Sequence, residues 1–66
     1  MIAESIREYL REHGITQEHV ARKAGMTKQA MSASMRGTRT LTADEYVAIC
    51  AALGVSMDFF APKVAN

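Results

Sequence analysis

A chain of 66 residues has room for one domain and no second, and a domain of this size buries only about 60% of the surface its unfolded chain exposes, so the core must be compact. With 48% hydrophobic and 23% charged residues, four glycines and one proline, the composition excludes intrinsic disorder. Eight Lys/Arg against seven Asp/Glu leave a net charge of +1, an average that by itself argues against a polyanionic partner.

The first element places Ile2, Ile6, Tyr9 and Leu10 at i, i+4, i+7 and i+8, one stripe of a helix, with Glu4, Arg7, Glu8, Arg11 and Glu12 on the other faces. Glu4 to Arg7 and Glu8 to Arg11 are favourable i, i+3 pairs. Gly14 ends this helix in the left-handed conformation, and His13 suits the negative end of its dipole. Thr16 caps a second helix, with Ile15 before it, Glu18 in its first turn, an apolar face of Val20, Ala21 and Ala24, and Gly25 at its end. Thr27 caps a third helix, Lys28 to Met35, in which Met31 and Met35 share a face; Arg36 and Gly37 close it. Thr38-Arg39-Thr40-Leu41 is a polar loop.

Thr42 and Glu45 then form a capping box, opening a fourth helix on which Tyr46, Ile49, Cys50 and Leu53 recur at helical spacing up to Gly54. Ser56 caps a last short helix through Phe60, which Pro62 stops. No stretch alternates with period two, so the spacing predicts an all-α domain of five short helices. Residues 1–66 form one domain, with 2–60 as the folded core and 61–66 as a C-terminal tail.

The remaining composition narrows the chemistry. One cysteine, Cys50, allows no intramolecular disulfide and reads as a small buried hydrophobe in preference to a reactive thiol. Two histidines, His13 and His19, read as surface residues and with one cysteine are too few for a structural zinc site. No metal or other cofactor is expected. A Gly-rich phosphate loop, an HExxH pair and a nucleophile with a base are all missing, so the chain is not expected to be an enzyme. No apolar run is long enough for a membrane span, and the charged N-terminal segment does not read as a signal peptide, which places the protein in the cytoplasm with no membrane partner.

The average charge conceals a segregated one. From Arg22 to Ala43 the chain carries Arg22, Lys23, Lys28, Arg36 and Arg39 and no acid, a local charge of +5, so the remainder carries −4. This positive segment coincides with two short helices joined by a tight glycine turn. Ala21 sits where two helices approach closely, and Gly25 supplies the turn, expected at positive φ. Ile15-Thr16-Gln17-Glu18-His19-Val20-Ala21, Gly25-Met26-Thr27, Gly37 and Ala52-Leu53-Gly54-Val55-Ser56-Met57-Asp58 stand in one register. Together they resemble the lambda repressor/Cro type of helix-turn-helix domain, the XRE family, over roughly residues 2 to 60.

The resemblance implies a role for each matching position. Lys28, Gln29, Ser32 and Ala33 fall where the family reads base edges in the major groove. Gln29 has the amide for adenine N6/N7, Lys28 can donate to guanine O6/N7 or to a phosphate, and the Ala33 methyl suits a thymine methyl. Ser32 acts through water, or with Ala33 simply lets the helix sit deep. Gln17, Thr27, Arg36, Thr38, Arg39 and Thr40 match positions that hold phosphates, Gln17 at a helix N-terminus whose free N–H groups favour an anion. The family commonly carries glutamine at position 28, where Lys28 has donors only, so a contact with Gln17 must run from its ammonium to the amide oxygen. At position 34 the family usually has a large apolar residue; Ser34 is expected to lose that burial and Met35 to move into the gap. Val55, Met57, Phe59 and Phe60 match C-terminal positions used for dimer contacts, with one of the two phenylalanines expected in the core.

The function so implied is a sequence-specific DNA-binding transcriptional regulator, a repressor that binds a pseudo-palindromic double-stranded operator as a homodimer, nucleoid-associated when bound and without a small-molecule effector. Two other readings of the same domain are the antitoxin of a toxin–antitoxin pair and a helix-turn-helix domain reused for protein interaction. The chain fits either a whole Cro-like protein or the DNA-binding part of a longer repressor.

Overall fold

A computed structural model of the chain describes residues 2–60. Four helices follow one another, α1 (Ile2–Glu12), α2 (Gln17–Ala24), α3 (Lys28–Arg36) and α4 (Ala43–Leu53), with no strand among the described residues. None of these helices is long and apolar enough to cross a membrane.

The expected punctuation sets the helix ends. Thr16, Thr27 and Thr42 cap α2, α3 and α4 through their hydroxyl oxygens, which accept from the N–H groups of His19, Ala30 and Glu45 at 3.0–3.1 Å. The Glu45 carboxylate returns a bond to the Thr42 N–H at 2.9 Å, completing the capping box. At the other ends, Gly25 (φ 74°) and Gly37 (φ 83°) occupy the left-handed region. The residues after them send their N–H groups back five positions, Met26 to the Ala21 carbonyl and Thr38 to the Ala33 carbonyl, so both helices stop within one residue.

The core gathers Ile6 and Leu10 of α1, Val20 and Ala21 of α2, Met31 and Met35 of α3, Ile49 and Cys50 of α4, and Phe60. Helix α2 packs chiefly on α4 and α3, and α1 packs on α3. Ala21 is 2% exposed within this cluster, the small side chain that close helix approach requires. Arg7 of α1 donates through Nη1 to the Met35 carbonyl at 3.1 Å, satisfying one of the carbonyls that the last turn of α3 leaves without an intrahelical partner.

The fifth predicted helix is not formed. Residues 57–60 are a turn and a bend, held by one bond from the Phe59 N–H to the Ser56 carbonyl at 3.1 Å. The Ser56 hydroxyl donates to the Asp58 carboxylate at 2.6 Å in place of capping a helix. So short a segment recovers too few bonds to offset helix nucleation. Tertiary contacts fix it instead. Phe60 is 6% exposed and meets Tyr9 of α1 edge to face at 5.5 Å between ring centroids, while the Tyr46 hydroxyl donates to the Met57 carbonyl. Pro62 and the 61–66 tail lie outside the described residues.

Candidate nucleic-acid interface

Gly25, Met26 and Thr27 join α2 to α3 and determine which side of α3 faces inward. Met31, Ser34 and Met35 are buried; Lys28, Gln29 and Arg36 are exposed and Ser32 and Ala33 half-buried on the opposite face. The four positions expected to read bases therefore share one outer surface of α3, together with Arg36. No acidic residue occupies the first turn of α3, whereas α2 has Glu18 there. The N-terminal N–H groups of α3 consequently meet an anion without competition from a local carboxylate.

The residues expected to hold phosphates divide into two groups. Gln17 is half-buried at the first position of α2, and Thr27 and Thr40 are exposed. The Thr27 oxygen already accepts from Ala30, leaving its O–H to donate outward. No hydrogen bond joins Lys28 to Gln17, so both keep their polar ends for a ligand. Other members have partners within the protein. The Thr38 hydroxyl donates to the Ala33 carbonyl at 3.1 Å, tightening the end of α3, and Arg36 reaches back along α3 to donate through Nη1 to the Ser32 hydroxyl at 2.6 Å.

Arg39 differs most from expectation. Its two terminal nitrogens grip the Glu45 carboxylate at 2.8 and 2.7 Å, and Nη1 also donates to the Ser34 hydroxyl at 3.1 Å. Ser34 is fully buried, so the position stays in the core although its small polar side chain contributes less apolar contact than a large one would. The Arg39 side chain covers the serine and supplies the donor that a buried hydroxyl needs. Met35, 2% exposed, is part of the core. Sequence reading missed this triad because it gave Glu45 to the cap alone; the signal available was an acid six positions beyond an arginine across a short loop.

The Arg39 guanidinium, followed by the Thr42 N–H, lowers the Glu45 carboxyl from its ordinary 4.5 to about 2. A carboxyl more acidic when folded than when unfolded stabilises the fold while it is ionised. That contribution is complete above about 4.5 and disappears as the pH falls toward about 2. Thermal melts of the wild type and Glu45→Gln are therefore expected to differ by a constant margin above this window and to converge through it. Parallel curves down to the acid limit would exclude the ion pair as a stabilising contact.

At the C-terminal turn, Met57 and Phe59 are 56% and 55% exposed and Val55 is half-buried. Phe60, grouped with them as a dimer contact, fills the core and is withdrawn from that surface. This is the division expected of two adjacent phenylalanines, of which one side of the turn buries only one.

A family model described as helix-turn-helix matches residues 6–60. No curated protein and no solved structure matches the chain significantly. The match runs from within α1 to the C-terminal turn and includes α2, its glycine turn and α3 with the exposed polar face. The chain belongs to the helix-turn-helix family of the lambda repressor/Cro (XRE) type and is a DNA-binding domain.

Proposed function

We propose that the protein is a transcriptional repressor that binds a pseudo-palindromic operator as a two-fold homodimer, with α3 of each protomer in the major groove. It acts by binding alone, with no catalytic step. The observation that carries this reading is the division of α3: Met31, Ser34 and Met35 fix the helix to the core, and Lys28 and Gln29 stand exposed at its acid-free N-terminal turn. In helix-turn-helix proteins the N-terminal residues of the second helix reach base edges. Val55, Met57 and Phe59 supply the apolar surface for the two-fold contact, whose self-complementary geometry is mirrored by an inverted-repeat site.

Selection from random duplex DNA tests the proposal. The wild type is expected to enrich an inverted repeat with half-sites about 34 Å apart, one helical turn. Gln29→Ala is expected to lose discrimination worth about 1–3 kcal/mol at one position per half-site and to keep the others. An enriched site without two-fold symmetry would overturn the dimer, and a library with no enriched sequence would overturn sequence-specific binding.

A further inference from the structure

The bond between Arg36 and Ser32 changes what this end of α3 can do. Arg36 ends the helix, about 12 Å along the axis from Lys28 at 1.5 Å per residue, too far down the helix for its backbone to share the base-reading turn. Its side chain recovers about half of that distance, to the level of Ser32. Helical side chains lean toward the N-terminus, and residues four apart stack on one face. The guanidinium thus lies one turn up, with Nη1 at 2.6 Å from the Ser32 hydroxyl, on the same exposed face as Gln29.

Ser32 and Ala33 are small and half-buried, so this stretch of the face is low, and a planar group can lie on it without lifting α3 from a groove. One N–H of Arg36 is used by Ser32. The others have no partner among the described residues and keep a two-pronged donor edge. Such a fork fits guanine O6 and N7, the commonest specific contact in the major groove.

We propose that Arg36 is a base-reading residue that recognises a guanine in each half-site, and that Ser32 is the positioning residue that holds its guanidinium on the α3 face. The inference rests on the DNA-binding reading above. It assigns Arg36 to sequence, where the resemblance assigns it to a phosphate. Ser32 acts by accepting from Arg36 rather than by meeting a base itself, which reduces the cost of immobilising a flexible side chain on binding.

The experiment compares the wild type, Arg36→Lys, Arg36→Ala and Ser32→Ala on the operator enriched from random duplex DNA and on single-base variants of it. Arg36 is exposed, so its replacements are expected to leave the core intact, which circular dichroism melts check independently. Arg36→Ala removes the fork, so it is expected to lose roughly 5- to 150-fold of discrimination at one guanine per half-site, whereas Arg36→Lys keeps a single ammonium donor and is expected to retain part of that preference and the salt dependence of the wild type. Ser32→Ala is expected to weaken the preference at that same guanine and at no other. Replacing the guanine with 7-deazaguanine, which lacks the N7 acceptor, should weaken the wild type and leave Arg36→Ala unaffected.

An equal loss on every sequence, with a shallower salt slope, for Arg36→Ala would make Arg36 a phosphate contact and overturn the proposal. If the wild type enriches nothing from the library, the DNA-binding reading fails before this one is reached, so the two failures are distinguishable.

Discussion

Met31→Ala is expected to remove a large share of the protein's stability. Met31 is 0% exposed, at the centre of the inner face of α3, opposite Gln29, Ala33 and Arg36. Truncating a fully buried methionine removes its transfer free energy and leaves a cavity, together about 2–5 kcal/mol. A domain of 66 residues has a total stability of only about 3–10 kcal/mol. The loss is therefore a large share of the reserve, and at about 4–8 °C per kcal/mol the melting temperature falls by roughly 10 °C or more. Met31→Leu keeps the volume and is expected to cost less than about 1.5 kcal/mol. Met57→Ala, at a site 56% exposed, is expected to change stability by no more than about 0.5 kcal/mol. Melts followed by circular dichroism rank the three, and a drop of only a few degrees for Met31→Ala would mean that α3 is not held by its inner face. Because that face orients the outer one, Met31→Ala should lose DNA binding in proportion to folding, whereas Gln29→Ala loses selectivity with its melting temperature unchanged.

How far the sequence could be read follows from how local each feature is. The ends of α2, α3 and α4 are each determined by a threonine on one side and a glycine on the other, within a span that a single turn samples. These were legible. The fifth helix was not, because Ser56 looks like a cap until its hydroxyl is seen bonding to Asp58, and because Phe60 is held by Tyr9, far away in the chain. Position 34 shows the same limit. Whether a serine there is exposed or buried depends on Arg39 folding over it, and the direction of Arg39 depends on Glu45, so neither residue reveals the outcome alone. Arg7 closing the Met35 carbonyl spans 28 positions and carries no local signal. The bond from Arg36 to Ser32, an i, i+4 pair on a helix, lay within reach of sequence reasoning; the resemblance drew attention away from it by assigning Arg36 to a phosphate.

Affinity for duplex DNA is expected to fall about 10³-fold between 50 and 200 mM salt, if the proposed dimer neutralises six phosphates. The charges that do this are fewer than the sequence count suggests. Of the five basic residues between Arg22 and Ala43, Arg39 is compensated by Glu45, which leaves Arg22, Lys23, Lys28 and Arg36 without an ion-pair partner among the described residues. Each phosphate neutralised contributes about 0.9 to the slope of log affinity against log salt. With Arg36 assigned to a base, six phosphates shared by two protomers require Arg22, Lys23 and Lys28, or helix N-termini acting beside them, to reach the backbone. A flat response would show that the basic segment faces away from DNA. Glu45→Gln sharpens the test by removing the carboxylate charge that Arg39 now faces. The freed guanidinium is expected to add a phosphate contact and to steepen the slope by about 0.9 for each protomer, even as the fold loses an ion pair. An unchanged slope in that variant would place Arg39 beyond reach of the backbone and confine it to holding the α3–α4 loop.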